Sequence, residues 1–113
     1  MILTDGVTIS ELGETAFRRY SPEEQSQLRA ALGAWPGEAH VAQAQELVET
    51  AHASLLSRFS DAQLVGFHGQ TLAHDPGGRG THQTGDGALI AELLDKPVAW
   101  DFRSNDVALG GQG

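Results

Sequence analysis

Leu64-Val65-Gly66-Phe67-His68-Gly69-Gln70-Thr71 is the stretch on which the fold turns. Its first four residues have the length and apolar character of a short buried strand, and the next four set an imidazole, an amide and a hydroxyl around a glycine. Upstream, Val41, Ala44, Val48, Ala51, Leu55 and Phe59 recur every three or four positions, which predicts one long amphipathic helix that packs on a sheet or another helix. Downstream, Ala88 to Leu94 reads as a shorter helix capped by Asp86, and Pro97 to Trp100 as a second apolar strand with Asp101 at its carboxyl end. Helix, strand, helix, strand is α/β organisation, and in such sheets ligands bind at the carboxyl ends of the strands.

The residues before position 41 supply a different pattern. Met1 to Thr4 is short and apolar, Asp5-Gly6 is a turn signal, and Val7 to Tyr20 alternates loosely through Ile9, Leu12 and Phe17, so an antiparallel pair is expected, with Leu12-Gly13 as a candidate bulge. Ser21-Pro22-Glu23-Glu24 combines a capping Ser, Pro at the first helical position and Glu at the third, which predicts a capping-box helix running through Leu28, Ala31 and Leu32 to Gly33. Of the 14 glycines, ten fall from Gly66 onward. The first half therefore reads as scaffold and the second as turns and close approaches, with His68 to Asp86 a Gly-rich excursion that reverses at Asp75-Pro76-Gly77-Gly78.

Composition narrows the function classes. With 113 residues, 15 Asp plus Glu and 7 Lys plus Arg, the formal charge is −8, and no cluster of Lys and Arg exists to bind nucleic acid through phosphate contacts. There is no cysteine, which excludes thiolate metal sites, thiol nucleophiles and disulfides and fits a reducing, cytoplasmic setting. No apolar run reaches the roughly 20 residues of a membrane span. The length suits one domain or part of one.

Three constellations carry chemistry. His68, Gln70 and Thr71 between glycines could hold a polar ligand such as a sugar, or form a structural turn with a surface His. His68, His74 and His82, with Asp75 and Asp86, invite a metal-dependent hydrolase, but spacings of 6 and 8 match no compact zinc pattern. Asp101-Phe102-Arg103-Ser104-Asn105-Asp106 ends a strand with two carboxylates and a guanidinium: a general base beside an anion-orienting Arg, or an exposed turn whose Asp residues cap the next segment of chain. Gly110-Gly111-Gln112-Gly113 has no following lysine, and no GxGxxG or GxxxxGK pattern occurs, so no nucleotide site is located.

Taken in order, Gly66 to Thr71, Thr81-His82-Gln83-Thr84-Gly85-Asp86-Gly87, and Pro97 to Arg103 continuing through Asp106-Val107-Ala108-Leu109 to Gly113 resemble the anhydro-N-acetylmuramic acid kinases, bacterial enzymes of cell-wall recycling in the sugar kinase, Hsp70 and actin superfamily. The resemblance covers nearly all of the chain and is most specific from Gly66 onward. It implies conversion of 1,6-anhydro-N-acetylmuramic acid, ATP and water to N-acetylmuramic acid 6-phosphate and ADP, with Mg2+. It also implies that Asp101, in the family's DFR motif, is the base for the water that opens the anhydro bridge. By the same resemblance His68 and Arg103 match motif positions near the sugar; as physical roles, Arg103 could meet the lactyl carboxylate and His68 or Gln70 the sugar hydroxyls or acetamido group, with Thr71 counted among the substrate-binding residues. An amino-sugar substrate and a homodimeric complete enzyme are implied as well, and neither a metal ligand nor a cofactor-binding residue is assigned within these residues.

The implied fold is a partial ribonuclease H-like, actin-like ATPase domain: a mixed sheet with flanking helices that lacks its first strand. Family members open with a strand and a GTS-x-DGV phosphate loop and continue after GGQG into an APLVP-like segment and a second domain. Residues 1–113 thus read as an incomplete first domain of a two-domain sugar kinase, inactive alone, with a noncatalytic sugar-binding or interaction fragment as the alternative.

Overall fold

The computed structural model describes residues 1–113 throughout, in the order β1 (Ile2–Thr4), β2 (Ile9–Leu12), α1 (Pro22–Ala30), α2 (Val41–Leu56), β3 (Val65–Phe67), β4 (Gln70–Asp75), β5 (Gly80–Thr84), α3 (Gly87–Leu94), β6 (Val98–Trp100) and α4 (Ser104–Ala108). It is an α/β structure in which the strands form three separate ladders of two, where the sequence suggested one mixed sheet. β1 and β2 are antiparallel, β3 and β6 parallel, β4 and β5 antiparallel.

Local chemistry accounts for most of the element ends. The Ser21 side chain accepts from Glu24 N–H while the Glu24 carboxylate accepts from Ser21 N–H, so the expected capping box starts α1. That helix stops at Ala30 rather than reaching Gly33, whose N–H instead donates to Leu72 O of β4 at 2.7 Å. Asp5 Oδ1 accepts from the N–H groups of Val7 and Thr8 and so makes the first turn. The bulge is not at Leu12-Gly13: the register slips between Leu3 and Thr4, leaving Ser10 unpaired, and Ser10 Oγ donates to Leu3 O. Nor does the second strand extend to Tyr20; β2 is four residues, all exposed. With no second ladder or layer over it, the loose alternation beyond Leu12 has nothing to pair with.

Helix α2 holds the molecule together. Its N-terminal half packs Val41 and Ala44 with Ala31 and Leu72, and Leu28 and Ala34 close that cluster. Further along, Val48 meets Phe67 of β3 and Ile90 of α3, with Leu56, Leu94 and Val98 around them. One amphipathic helix therefore serves two cores, one under the β4–β5 hairpin and one under the parallel pair. The helix ends at Leu56, short of the Phe59 that continues its period.

The β3–β6 pair aligns Phe67 with Trp100, so the polar residues that follow each strand leave from the same edge. Asp86 caps α3 by accepting from Ala88 and Leu89 N–H, and its own N–H donates to Glu49 Oε1 of α2 at 2.8 Å. Gly85 in this turn has φ +117°, and a Cβ there would lie 2.7 Å from the Phe67 ring, so only glycine fits. No helix is long and apolar enough to cross a membrane.

Candidate functional site

A cleft of about 170 Å³ opens where β3 and β6 end, lined by His68, Gly69, Gln83, Trp100, Asp101 and Ser104 among others. Phe67 and Trp100, paired across the ladder, carry His68 and Asp101 to its rim. Asp101 leaves its strand with φ 56°, a left-handed backbone that an aspartate adopts at some cost. This bend turns the chain into α4, and Ser104 Oγ donates to Asp101 Oδ1. One carboxylate oxygen is thereby held by a hydroxyl. The arrangement can position a base at the edge of a polar cleft.

Thr71 and Arg103 are neighbours of this cleft rather than part of its wall. Arg103 Nη1 donates to Thr71 Oγ1 at 3.3 Å, and its Nη2 donates to His74 at 3.3 Å and to Gln112 O at 3.3 Å. Gln83 Nε2 donates to Thr71 Oγ1 at 3.2 Å and Thr81 Oγ1 at 2.8 Å, and Thr81 Oγ1 pairs with His74 Nδ1 at 3.0 Å. Arg103, Thr71, Gln83, Thr81 and His74 thus form a closed ring of hydrogen bonds. Gln70 stands apart, its Nε2 turned to Thr71 O.

The three histidines diverge. His68 is exposed at the cleft, His74 meets Arg103, and His82 is buried, donating from Nδ1 to Ala34 O at 2.8 Å and stacking on Trp35. No three His, Asp or Glu side chains are grouped to hold a metal ion. The glycine segment at positions 110–113 is also committed internally: Gly111 N–H donates to Asp106 O and Gly113 N–H to Asp106 Oδ2 at 2.7 Å. Lys96, the sole lysine, donates to Ser60 O. These residues do not fit a nucleotide phosphate cradle or a Mg2+ site.

Sequence reasoning brought forward His68 and Asp101, which share the cleft, and Thr71 and Arg103, which share the adjoining ring. It passed over Thr81, Gln83 and Ser104. The signal for the first two was the period of two along β5, which sets Thr81 and Gln83 on one face and His82 and Thr84 on the other.

Residues 25–113 match a family model described as anhydro-N-acetylmuramic acid kinase. An anhydro-N-acetylmuramic acid kinase of Cereibacter sphaeroides is 66% identical over 113 residues, which is 100% of this chain and 30% of the relative. Anhydro-N-acetylmuramic acid kinase 1 of Jannaschia sp. strain CCS1 is 52% identical over 113 residues, again 100% of this chain and 30% of the relative. A kinase of the same description from Ruegeria sp. strain TM1040 is 54% identical over 110 residues, 97% of this chain and 29% of the relative. The chain spans about 30% of the length of the curated relatives it matches.

Proposed function

Because the chain belongs to the anhydro-N-acetylmuramic acid kinase family, we propose that it supplies the sugar-side wall of an ATP-dependent kinase converting 1,6-anhydro-N-acetylmuramic acid and water to N-acetylmuramic acid 6-phosphate. The observation that carries this reading is the meeting of Asp101 and His68 in one cleft at the carboxyl ends of β3 and β6. In the proposed reaction Asp101 takes a proton from water as the water oxygen bonds to C1 of the sugar. The C1–O6 bond breaks, and O6 leaves with the bond's electron pair and takes the phosphoryl group of ATP in place of a proton. Ser104 keeps one oxygen of Asp101 occupied, leaving the other to face the water. Arg103 is placed for an anionic substituent such as the lactyl carboxylate, with Thr71 fixing its guanidinium, while His68 and Gln70 are assigned to neutral groups of the sugar.

ATP and Mg2+ are implied by the family, but the residues here do not fit them, so the phosphoryl transfer is not routed through this chain. Residues 1–113 are placed within the first of two domains, of ribonuclease H-like architecture, in a cytoplasmic and homodimeric enzyme. What supports the architecture is a groove of about 860 Å³ lined by Ile2 and Leu3 of β1 on one side and by Leu64, Val65 and Gly66 on the other. A further strand between the β1–β2 hairpin and β3 would occupy it.

Titration calorimetry with the anhydro-sugar and with ATP, alongside an ADP-release assay, tests the proposal. The expected result is sugar binding by the 113-residue chain without nucleotide binding or turnover. No sugar binding would overturn the sugar-side assignment, and ADP formed in the presence of the sugar would overturn the exclusion of phosphoryl transfer from these residues.

A further inference from the structure

Two large apolar side chains line the cleft, and they differ in what holds them. Phe67 is 2% exposed and packs with Val48 and Ile90, whereas Trp100 is 46% exposed. One face of the Trp100 indole is closed. A Cβ on Gly87, at the start of α3, would lie 2.6 Å from Cδ1 and 2.5 Å from Cδ2, and closer still to Cγ between them. A point nearly equidistant from those two atoms and nearest the carbon that joins them stands over the ring, not beside its edge. Gly87 thus backs the indole, and any side chain at that position would push the ring away. The exposure of Trp100 therefore lies on the opposite face and the rim, at the cleft wall. Trp35 holds the Arg79 guanidinium 4.4 Å from its ring and stacks with His82, but neither a cation nor an aromatic ring lies on Trp100.

We propose that the open face of Trp100 is a stacking platform for an apolar C–H surface of the bound sugar, a reading that rests on the sugar-side function proposed above. The anhydro-sugar offers such surface in its ring C–H bonds, its bridge methylene and its acetamido and lactyl methyl groups. The face of an indole carries negative charge density, which attracts the weakly positive hydrogens of carbons beside oxygen, nitrogen or a carbonyl. The ring is rigid, so it offers a large contact area at little cost in conformational freedom. It covers the sugar while His68 and Asp101 supply directional contacts, the combination of aromatic wall and few polar groups that small-molecule sites use. Standing one residue before Asp101, the platform sets how the sugar lies against that carboxylate.

The test incorporates ring-fluorinated tryptophans of increasing fluorine content into a Trp35→Phe chain, in which Trp100 is the only indole, and measures affinity for the anhydro-sugar by calorimetry. Fluorine draws electron density from the ring face and nearly keeps its shape, so affinity is expected to fall with each added fluorine. Trp100→Leu, apolar but without a π face, should lose about tenfold in affinity, and Trp100→Phe less. In proton NMR the sugar C–H signals over the indole should move upfield on binding, and that shift should vanish in Trp100→Leu. Whether ring, methylene or methyl signals move identifies the surface held. Affinity indifferent to fluorination overturns the inference, as does wild-type affinity in Trp100→Leu or bound sugar with no upfield shift; each leaves the sugar-side function standing. Absence of any sugar binding by the wild-type chain overturns both. Should either the Leu or the Trp35→Phe variant fail to fold, the upfield shift on the wild-type chain decides.

Discussion

At the scale of single residues, Asp101 combines a carboxylate with a backbone that glycine would hold more easily. Left-handed φ at a non-glycine residue costs on the order of 1 kcal/mol and persists where the surroundings over-determine it. Here the strand pairing on one side and the Ser104 hydrogen bond on the other do so. In an active kinase carrying this segment, Asp101→Asn is expected to lower turnover by about 10²–10⁴-fold while sugar affinity stays within a few-fold, because the amide keeps the side chain's shape and loses its basicity. Near-normal turnover in steady-state assays would remove Asp101 as the base. The residue itself was legible in the sequence, since a carboxylate directly after an apolar strand is a position where ligands bind. Its bend was not, because nothing in Trp100-Asp101-Phe102 reports a positive φ. Gln83 was missed for a related reason: its place in the Arg103 ring depends on side-chain geometry, which no pattern of residue types displays.

At the scale of elements, the α1 start was the most readable feature, since Ser21-Pro22-Glu23-Glu24 specifies both halves of its own capping box. Ser21→Ala should cost about 1 kcal/mol of stability in a denaturant titration, with no change in the cleft. The same box gives a pH dependence. Hydrogen bonds from the Arg18 guanidinium, and after them the Ser21 N–H, hold the Glu24 carboxyl below its ordinary value of 4.5. Because the folded value is depressed, its contribution is complete above about pH 4.5 and is lost as pH falls through the lowered value. Helicity measured by circular dichroism from pH 7 to pH 3 should decline in wild type, and Glu24→Gln should flatten the part due to α1. Glu38 adds an acid-sensitive contribution of the same sign at the loop before α2, held low by the Trp35 N–H and then by Arg79. Ladder partners were harder to read than helix starts. Apolar runs of three residues give a strand its existence but not its neighbour, and the β4–β5 hairpin emerges only once the turn at Asp75 brings Gln70 opposite Thr84.

For the whole molecule, the balance of buried and exposed apolar surface predicts weak stability. The Cα radius of gyration is 15.2 Å, where a compact chain of this length has about 13 Å. Val7, Leu12 and Phe17 are each at least 79% exposed. The two cores rest on α2, and the β1–β2 hairpin adds no buried residue to either. The 113-residue chain is therefore expected to melt broadly at low temperature, or to melt cooperatively only at concentrations where copies associate. A sharp, concentration-independent transition at high temperature by calorimetry would contradict this. The acidic balance and the α/β pattern were both plain from the sequence, but the openness was not, since it depends on which strand edges find partners.

The stacking of His82 of β5 on Trp35 has an optical consequence. His82, in the cleft wall, stacks on the Trp35 indole, and the Arg79 guanidinium lies 4.4 Å from the same ring, while Trp100 borders the cleft directly. Both tryptophans of the chain therefore stand one contact or less from the cleft, each beside groups that alter indole emission. Steady-state fluorescence is therefore expected to change at Trp100 when a ligand fills the cleft, and at Trp35 when the hairpin shifts with it.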